Sequence, residues 1–278
     1  MDTLELNIHL NPKDPWSDIV IAQLSENGFD SFVNTDDGVL AYAHATIDLD
    51  TVLSESILNQ PTEFTCKIEK TIIPFQNWNA SWEENFPPVF VENYATILAP
   101  FHLQEEVKGE VAVIQPQMSF GTGHHQTTWM MTKALFELDE MPGNVLDMGT
   151  GTGVLAIYAE KLGAKNILAI DIEEWSAQNA KENAERNNCS NIDCVWGDID
   201  KIEGKTFGLI IANINKNILK LHMEQYANSL ELNGTLLLSG FFITDVEEMT
   251  SFCKNFSFEQ SKVFTKDEWA CIQLIKTN

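Results

Sequence analysis

Hydrophobic and polar residues alternate in the first segment of the chain, which predicts a strand with one buried face. The hydrophobic positions are Leu4, Leu6, Ile8 and Leu10. The segment FDSFVNTDDGVLAYA predicts two further strands joined by an Asp-Gly turn. Alternation returns at 63–73, in EFTCKIEKTII, and predicts a fourth strand.

Two helices are predicted between these strands. For the first, we expect Asp14 as the N-cap, Pro15 at the first helical position and Gly28 at the end. The second is expected within 47–58, IDLDTVLSESIL. Strands and helices are mixed here, so residues 1–72 are predicted to form a small α+β domain.

A segment rich in tryptophan and proline, PFQNWNASWEENFPPV, follows this domain and predicts a linker over 73–92. Trp78 and Trp82 stand at helical spacing within it. This spacing favours a linker helix that packs onto a domain. Contact with a substrate is the alternative interpretation of the pair.

The remainder, 93–278, alternates between strands and helices. Apolar strands are predicted at 144–148, 166–171, 192–196, 207–213 and 234–240, with helices between them at 154–163, 175–188 and 215–230. Short apolar strands separated by helices indicate an α/β fold with a mainly parallel sheet covered on both faces. Two strands near the end, FSFEQSKVF and WACIQLIK, are joined by a tight connection and predict a C-terminal antiparallel hairpin.

The charge of the chain restricts its partners. There are 41 acidic and 17 basic residues, which gives a net charge of −24. Such a field repels phosphate backbones and anionic lipids, so we expect no direct binding of nucleic acid and no membrane contact. A small ligand or a basic protein is compatible with it.

The five cysteines are scattered, without a C-x-x-C pair, which argues against a structural zinc site and against a disulfide framework. The first ten residues, MDTLELNIHL, do not resemble a signal peptide, and no apolar run approaches the length of a membrane span. A cytoplasmic protein is therefore expected.

A glycine-rich turn, GTGTG at 149–153, stands between a predicted strand and a predicted helix. In open α/β sheets the first such turn meets a ligand at the strand ends, and glycine allows the ligand to approach the backbone. The next strand ends at Asp171, where a carboxylate can accept hydrogen bonds from ribose hydroxyls. The sixth residue from Gly149 is Val154, which departs from the G-x-G-x-x-G/A pattern of dinucleotide-binding proteins and disfavours NAD.

This turn and the C-terminal hairpin resemble those of class I S-adenosylmethionine-dependent methyltransferases, which have a Rossmann-like sheet. By that resemblance Gly149, Gly151 and Gly153 hold the methionine and ribose portions of the cofactor, and Asp171 holds the ribose. Asp198, which follows the third of these strands, stands where such enzymes often bind the adenine amine. For Asp198 an ordinary loop acid is the alternative.

Four segments make the resemblance narrower. QPQMSFGTGHHQTT, IIANINKNIL, ENFPPV and DEWACIQLIK look like segments of the ribosomal protein L11 methyltransferase family. The resemblance covers nearly the whole chain and implies methylation of lysine side chains or the N-terminal amine of ribosomal protein L11. It also implies that 1–72 recognises that substrate and that 93–278 is the methyltransferase domain. The acidity of the chain favours the free, basic ribosomal protein over the assembled ribosome as the substrate. We expect a monomer.

The same resemblance makes the glycine loop FGTG a flap that closes over the cofactor. Phe120, Thr122 and Thr128 are then cofactor-binding residues. The family pattern reads F-G-T-G-T-H-P-T-T, and the chain departs from it at His124 and Gln126. For His124 and His125 a capping or flap role is expected, and metal binding is the disfavoured alternative.

Asn213 ends the fourth of these strands and is the predicted catalytic residue. The family resemblance places it at both the cofactor and the acceptor, where an amide oxygen can orient a neutral amine. The following residues, Ile214, Asn215 and Lys216, lack the prolines and the aromatic residue of the N-P-P-[YF] motif. A helix cap is the alternative role for Asn213. For the whole chain, the alternatives are a methyltransferase for another protein or a small molecule, and a dehydrogenase or nucleotide-binding module.

Overall fold

The computed structural model describes residues 2–59, 61–75, 83, 85–102, 106–117 and 119–278. The chain divides into two compact units, Met1–Asn85 and Phe86–Asn278. This division falls within the predicted linker at 73–92. Trp78 and Trp82 lie outside the described residues, so their packing role stays a prediction.

The first unit contains a four-stranded antiparallel sheet in the order β2-β3-β1-β4. Its strands are β1 Thr3–Asn11, β2 Phe29–Thr35, β3 Gly38–His44 and β4 Thr65–Ile73. Two helices, α1 Trp16–Glu26 and α2 Leu49–Glu55, accompany it. The four alternating residues of β1 are buried, as the period of two predicted.

The predicted start of α1 is wrong by one residue. Pro15 occupies the N-cap position, and no side chain caps the helix there. The Asp14 carboxylate instead lies 3.5 Å from the Ser17 hydroxyl. Asp48, in contrast, caps α2 by accepting a hydrogen bond from the Thr51 N–H at 3.3 Å.

The second unit is built on a seven-stranded sheet in the order β10-β9-β8-β11-β12-β14-β13. The strands are β8 Asn144–Met148, β9 Asn166–Asp171, β10 Ile192–Trp196, β11 Phe207–Asn213, β12 Leu230–Phe242, β13 Phe258–Lys266 and β14 Trp269–Lys276. Strands β8 to β12 are mutually parallel, whereas β14 is antiparallel to β12 and to β13. The predicted α/β fold with a C-terminal antiparallel hairpin is confirmed.

Five helices accompany this sheet in the described part of the second unit. They are α3 Gln126–Phe136, α4 Val154–Lys161, α5 Glu174–Arg186, α6 Lys216–Ser229 and α7 Val246–Lys254. Side chains of β11 alternate between two hydrophobic clusters, with Leu209 and Ile211 in one and Ile210 and Ala212 in the other. Each strand of the sheet centre therefore buries both faces, at about 1.5–3 kcal/mol for each large side chain.

A second, three-stranded sheet was not predicted. It consists of β5 Val89–Val91, β6 Ala95–Leu98 and β7 Glu110–Val113, in that order. The Tyr158 hydroxyl of α4 donates to the Thr96 carbonyl of β6 at 2.9 Å, which ties this sheet to the larger one. No helix among the described residues is long and apolar enough to cross a membrane.

Candidate active site

The glycine-rich turn after β8 needs glycine for two separate reasons. Gly149 and Gly151 have φ values of +75° and +56°, in the left-handed region that favours glycine. A Cβ at Gly149 would also overlap the Ile214 side chain, and one at Gly151 would overlap the carbonyl oxygen of Phe120. The backbone of the turn is thus in close contact with both neighbouring loops.

The FGTG loop rests directly on this turn. The Thr152 N–H donates to the Phe120 carbonyl at 2.9 Å, and the Thr152 hydroxyl donates to the Gly121 carbonyl at 2.7 Å. The Phe120 side chain remains 51% exposed. The Thr122 hydroxyl lies 3.2 Å from Nδ1 of His124, within the loop itself. The two glycine loops of the sequence therefore form one continuous structure.

A buried asparagine on α5 joins the same two segments and was missed from the sequence. Asn183 donates from its side-chain amide to the Thr152 carbonyl at 3.0 Å. Its amide oxygen accepts from the Gln115 N–H, in the segment that leads into the FGTG loop, at 2.9 Å. Asn183 thus satisfies the backbone on both sides, and its only sequence signal was a polar residue on the inner face of α5.

Asp171 lies beside the turn, at the end of β9. Its Oδ2 accepts from the Gly151 N–H at 2.9 Å, and its Oδ1 accepts from the Glu173 N–H at 3.0 Å. The side chain is mostly buried, and the residue is 8% exposed. The structure therefore brings the predicted ribose ligand and the glycine turn together.

Asp147, on β8, contacts the glycine turn through Thr150. It was also not predicted as a residue of the site. The Thr150 hydroxyl donates to Oδ2 of Asp147 at 2.6 Å. Burial raises the pKa of Asp147 to about 6, against the opposing effect of the Thr150 hydrogen bond. An acid inside an otherwise apolar strand was the sequence signal, because a buried carboxyl needs a specific partner.

Asp198 has a structural role that the sequence left open. Its Oδ1 accepts from the Ile199 N–H at 2.7 Å and so caps the short 3₁₀ helix Ile199–Ile202. The same oxygen lies 3.6 Å from Nε2 of the buried His222 on α6. Burial lowers the pKa of His222, and Asp198 acts in the opposite direction. Within the described part of the chain Oδ2 of Asp198 accepts no hydrogen bond, so it stays available to a ligand.

Asn213 lies at the carboxyl end of β11, between β8 and β12 in the sheet. The alternative that it caps α6 is wrong, because Asn215 is the cap and accepts from the Asn217 N–H at 2.9 Å. Ile214, the next residue, touches the glycine turn at Gly149. Asn213 is thus at the same edge of the sheet as the turn, and its amide is not needed for the helix.

His125 caps α3, as expected for a capping role. Its Nδ1 accepts from the Thr127 N–H at 3.3 Å. Burial lowers the pKa of His125, which favours the neutral ring. His124 lies on the surface and donates from Nε2 to the Pro87 carbonyl at 2.9 Å. Gln126 donates from its side chain to Asp267 at 2.9 Å, across to the β13–β14 turn.

Thr128 is a buried residue in the first turn of α3. Its Oγ1 has no hydrogen-bond partner in the part of the chain that the structure describes. Buried hydroxyls are normally satisfied, so this group suits a ligand atom. The Thr128 hydroxyl and the Asp171 carboxylate are thus polar groups that suit a nucleoside cofactor with a polar amino-acid tail.

Comparison with known proteins identifies relatives of the whole chain. The family described as "Ribosomal protein L11 methyltransferase (PrmA)" matches residues 19–277. The ribosomal protein L11 methyltransferase of Porphyromonas gingivalis is 38% identical over 92% of this chain and 89% of its own length. That of Phocaeicola vulgatus is 36% identical over 99% of both chains.

Solved structures give the same relationship. The crystal structure of a ribosomal protein L11 methylase from Lactobacillus delbrueckii subsp. bulgaricus aligns with a TM-score of 0.64 and 27% identity. The alignment covers 69% of this chain and 100% of that one. A methyltransferase from Pyrococcus furiosus, at 18% identity and a TM-score of 0.51, shares the fold.

Proposed function

Because the chain belongs to the ribosomal protein L11 methyltransferase family, we propose that it methylates amino groups of ribosomal protein L11. It is an S-adenosylmethionine-dependent methyltransferase. The observation that carries the proposal is the contact between the two glycine loops beside Asp171, since it would let both loops face one bound cofactor.

We assign the cofactor to a site formed by these loops and the strand ends. The proposed cofactor-binding residues are Phe120, Thr122, Thr128, Gly149, Gly151, Gly153, Asp171, Asp198 and Asn213. The turn lets the cofactor approach its backbone, and Asp171 accepts from the ribose. The free Oδ2 of Asp198 suits the adenine amine, and the Thr128 hydroxyl provides an unsatisfied polar group.

The chemistry asks little more of the protein than placement. When bound, S-adenosylmethionine supplies a methyl group on a sulfonium, which is already a good leaving group. The side-chain oxygen of Asn213 accepts a hydrogen bond from the amine that is to be methylated. This hydrogen bond orients the lone pair of the amine. An amide favours the neutral amine, whereas a carboxylate would stabilise the unreactive ammonium. A lysine side chain, with an ordinary pKa of about 10.4, needs this stabilisation of the neutral amine more than an α-amino group with a pKa near 8.

We propose that the first unit recognises the protein substrate. Its support is a hydrophobic core of its own, in which β1 and α1 contribute Leu6, Ile8 and Leu24. A fragment of residues 86–278 is then expected to bind S-adenosylmethionine but to lose activity on ribosomal protein L11. Full activity of that fragment would contradict this role.

The net charge of −24 supports the free, basic ribosomal protein as the substrate, rather than a ribosome coated with RNA. We propose that the enzyme works in the cytoplasm as a monomer, without contacting nucleic acid or a membrane. Activity should decline as salt is raised, because screening weakens the attraction between acidic enzyme and basic substrate.

Mass spectrometry of purified ribosomal protein L11, after incubation with the enzyme and S-adenosylmethionine, tests the proposal. We expect mass increments of whole methyl groups on lysine side chains or the N-terminal amine. A parallel reaction with Asn213→Ala serves as the matched control. An unmodified L11, with methylation of another protein or a small-molecule amine instead, would contradict the assigned substrate.

A further inference from the structure

A surface pocket lies between the end of β12 and the β13–β14 turn, and its lining includes none of the proposed cofactor-binding residues. It has a volume of about 360 Å³. We call it the hairpin pocket, and its lining residues are Phe242, Ile243, Thr244, Asp267 and Glu268. A hydrogen bond from the Ile243 N–H to the Glu268 carbonyl, at 2.9 Å, joins its two sides.

The hairpin pocket is at the same edge of the sheet as Asn213, the residue proposed to bind the target amine. Strands β11 and β12 are parallel, so their carboxyl ends lie on one side, and Asn213 is paired with Ser239. Phe242 follows Ser239 by three residues along β12. Because ligands of open α/β sheets bind at the carboxyl ends of the strands, a substrate at Asn213 also comes near this pocket.

A row of aromatic rings connects the hairpin pocket with the FGTG loop. The ring centroids of Phe242 and Trp269 are 4.5 Å apart, and those of Trp269 and His125 are 4.7 Å apart. His125 in turn lies 5.0 Å from the Phe120 ring. A continuous row of ring contacts therefore links the pocket to the FGTG loop.

The hairpin pocket has two acidic residues, Asp267 and Glu268, in its lining. No salt bridge among the residues that the structure describes uses Asp267 or Glu268. Lys266, the neighbouring cation, lies over the Trp129 ring with its Nζ 4.6 Å from the centroid. Lys216 is 2.6 Å from Asp245. The pocket thus combines two carboxylates with the exposed side chains of Phe242 and Ile243.

We propose that the hairpin pocket receives a basic side chain that flanks the target amine in the protein substrate, and this rests on the proposed function. Phe242 and Ile243 are 45% and 42% exposed and can pack against the alkyl stem of a lysine or arginine. Glu268 then pairs with the charged end, and the Phe242 ring adds an attraction for the cation. The pocket would select amines within basic segments.

Steady-state methylation of purified ribosomal protein L11 at saturating S-adenosylmethionine tests the inference. We expect Glu268→Gln to raise KM for L11 about threefold and Glu268→Lys about tenfold, with little change in kcat. Cofactor affinity, measured by calorimetry, should stay within about twofold of wild type. The matched controls are Glu259→Gln and Glu259→Lys, at the opposite, exposed end of the same hairpin.

The outcomes separate this inference from the proposed function. A rise of KM in the Glu268 variants, without one in the Glu259 variants, supports a basic side chain in the hairpin pocket. If the Glu268 and Glu259 variants have equal KM values for L11, while the wild-type enzyme methylates L11, the proposed role of the pocket is wrong. The proposed function is then unaffected. A wild-type enzyme that leaves L11 unmodified would overturn the proposed function and the inference together.

Discussion

The two glycine loops of the second unit contact each other, yet they are held in different ways. In the turn at 149–153, the N–H groups of Gly149 and Thr150 both donate to the Ile170 carbonyl, at 2.8 and 3.0 Å, so the turn is part of the sheet. The FGTG loop makes two hydrogen bonds to Thr152 of that turn. The first loop is a fixed support, and the second depends on it. Damage to the turn should therefore reach both loops, and damage to the FGTG loop should remain local.

The largest effect is expected from Gly151→Ala, which forces a Cβ into the Phe120 carbonyl at a positive φ. Strain and overpacking together should weaken S-adenosylmethionine binding by about 3 kcal/mol, or roughly 100-fold. The counterpart in the other loop, Gly121→Ala, has a φ of +108° and places its Cβ 2.8 Å from the Thr152 hydroxyl, a side-chain atom that can move only by giving up its hydrogen bond to the Gly121 carbonyl. Its effect should be about tenfold. Calorimetry of both variants measures the difference.

Gly163→Ala is the control for this pair. Gly163 has a φ of +117°, but no atom lies within 4 Å of a Cβ built there. It should lower the free energy of unfolding by about 1 kcal/mol and leave cofactor affinity unchanged. If Gly151→Ala and Gly121→Ala have equal affinities for S-adenosylmethionine, the FGTG loop does not depend on the turn at 149–153 for its support.

Asp171→Ala is expected to have the next largest effect. It removes the acceptor of the Gly151 and Glu173 N–H groups and the proposed ribose ligand. Affinity for S-adenosylmethionine should drop by about 2 kcal/mol, roughly 30-fold. Calorimetry with the wild type as reference measures it, and an unchanged affinity would remove Asp171 from the site.

Asn213→Ala and Asn215→Ala separate catalysis from stability two residues apart. Asn213→Ala should lower the single-turnover methylation rate at least about tenfold, roughly 1.4 kcal/mol, because the amine loses its acceptor. Asn215→Ala should lower the free energy of unfolding by about 1 kcal/mol through loss of the α6 cap, with a nearly normal rate. The reverse pattern would exchange their roles.

The smallest effect concerns Asp147, which supports the turn through Thr150. Its pKa of about 6 in the folded protein is above the unfolded value near 3.9, so its contribution to stability is lost as pH rises through about 6. From about pH 5 to about pH 7.5 the wild type should lose roughly 1 kcal/mol relative to Asp147→Asn. Thermal melting of both proteins across this range is the measurement. Parallel curves would show that Asp147 does not titrate there.

The large sheet could be predicted because its strands bury both faces. β8, β9 and β11 are mostly apolar segments bounded by turns, and such segments can be recognised as strands without knowledge of the neighbouring strands. The strands β5 and β6 have three and four residues, too few to show a period. Their existence depends on pairing with each other, which a local pattern does not contain.

Helix α7 was not predicted, although the sequence contains a helical pattern of apolar residues for it. Val246, Met249 and Cys253 recur at helical spacing, and Met249 and Cys253 are fully buried. In the site, the position of Asp171 beside the glycine turn could be predicted, because Asp171 ends the strand that follows the turn and its helix. The sequence offered Asn213 as the alternative cap of α6 and did not identify Asn215, because an asparagine at either position can precede a helix and only the backbone geometry decides which one caps it.

Amide hydrogen exchange, with and without saturating S-adenosylmethionine, tests most directly whether the two glycine loops serve one cofactor. Residues 119–125 and 149–153 should both become more protected when the cofactor is bound, while exchange in β1 and α1 of the first unit stays unchanged. Protection confined to 149–153 and Asp171, with 119–125 exchanging at the rate of the free enzyme, would contradict a shared site.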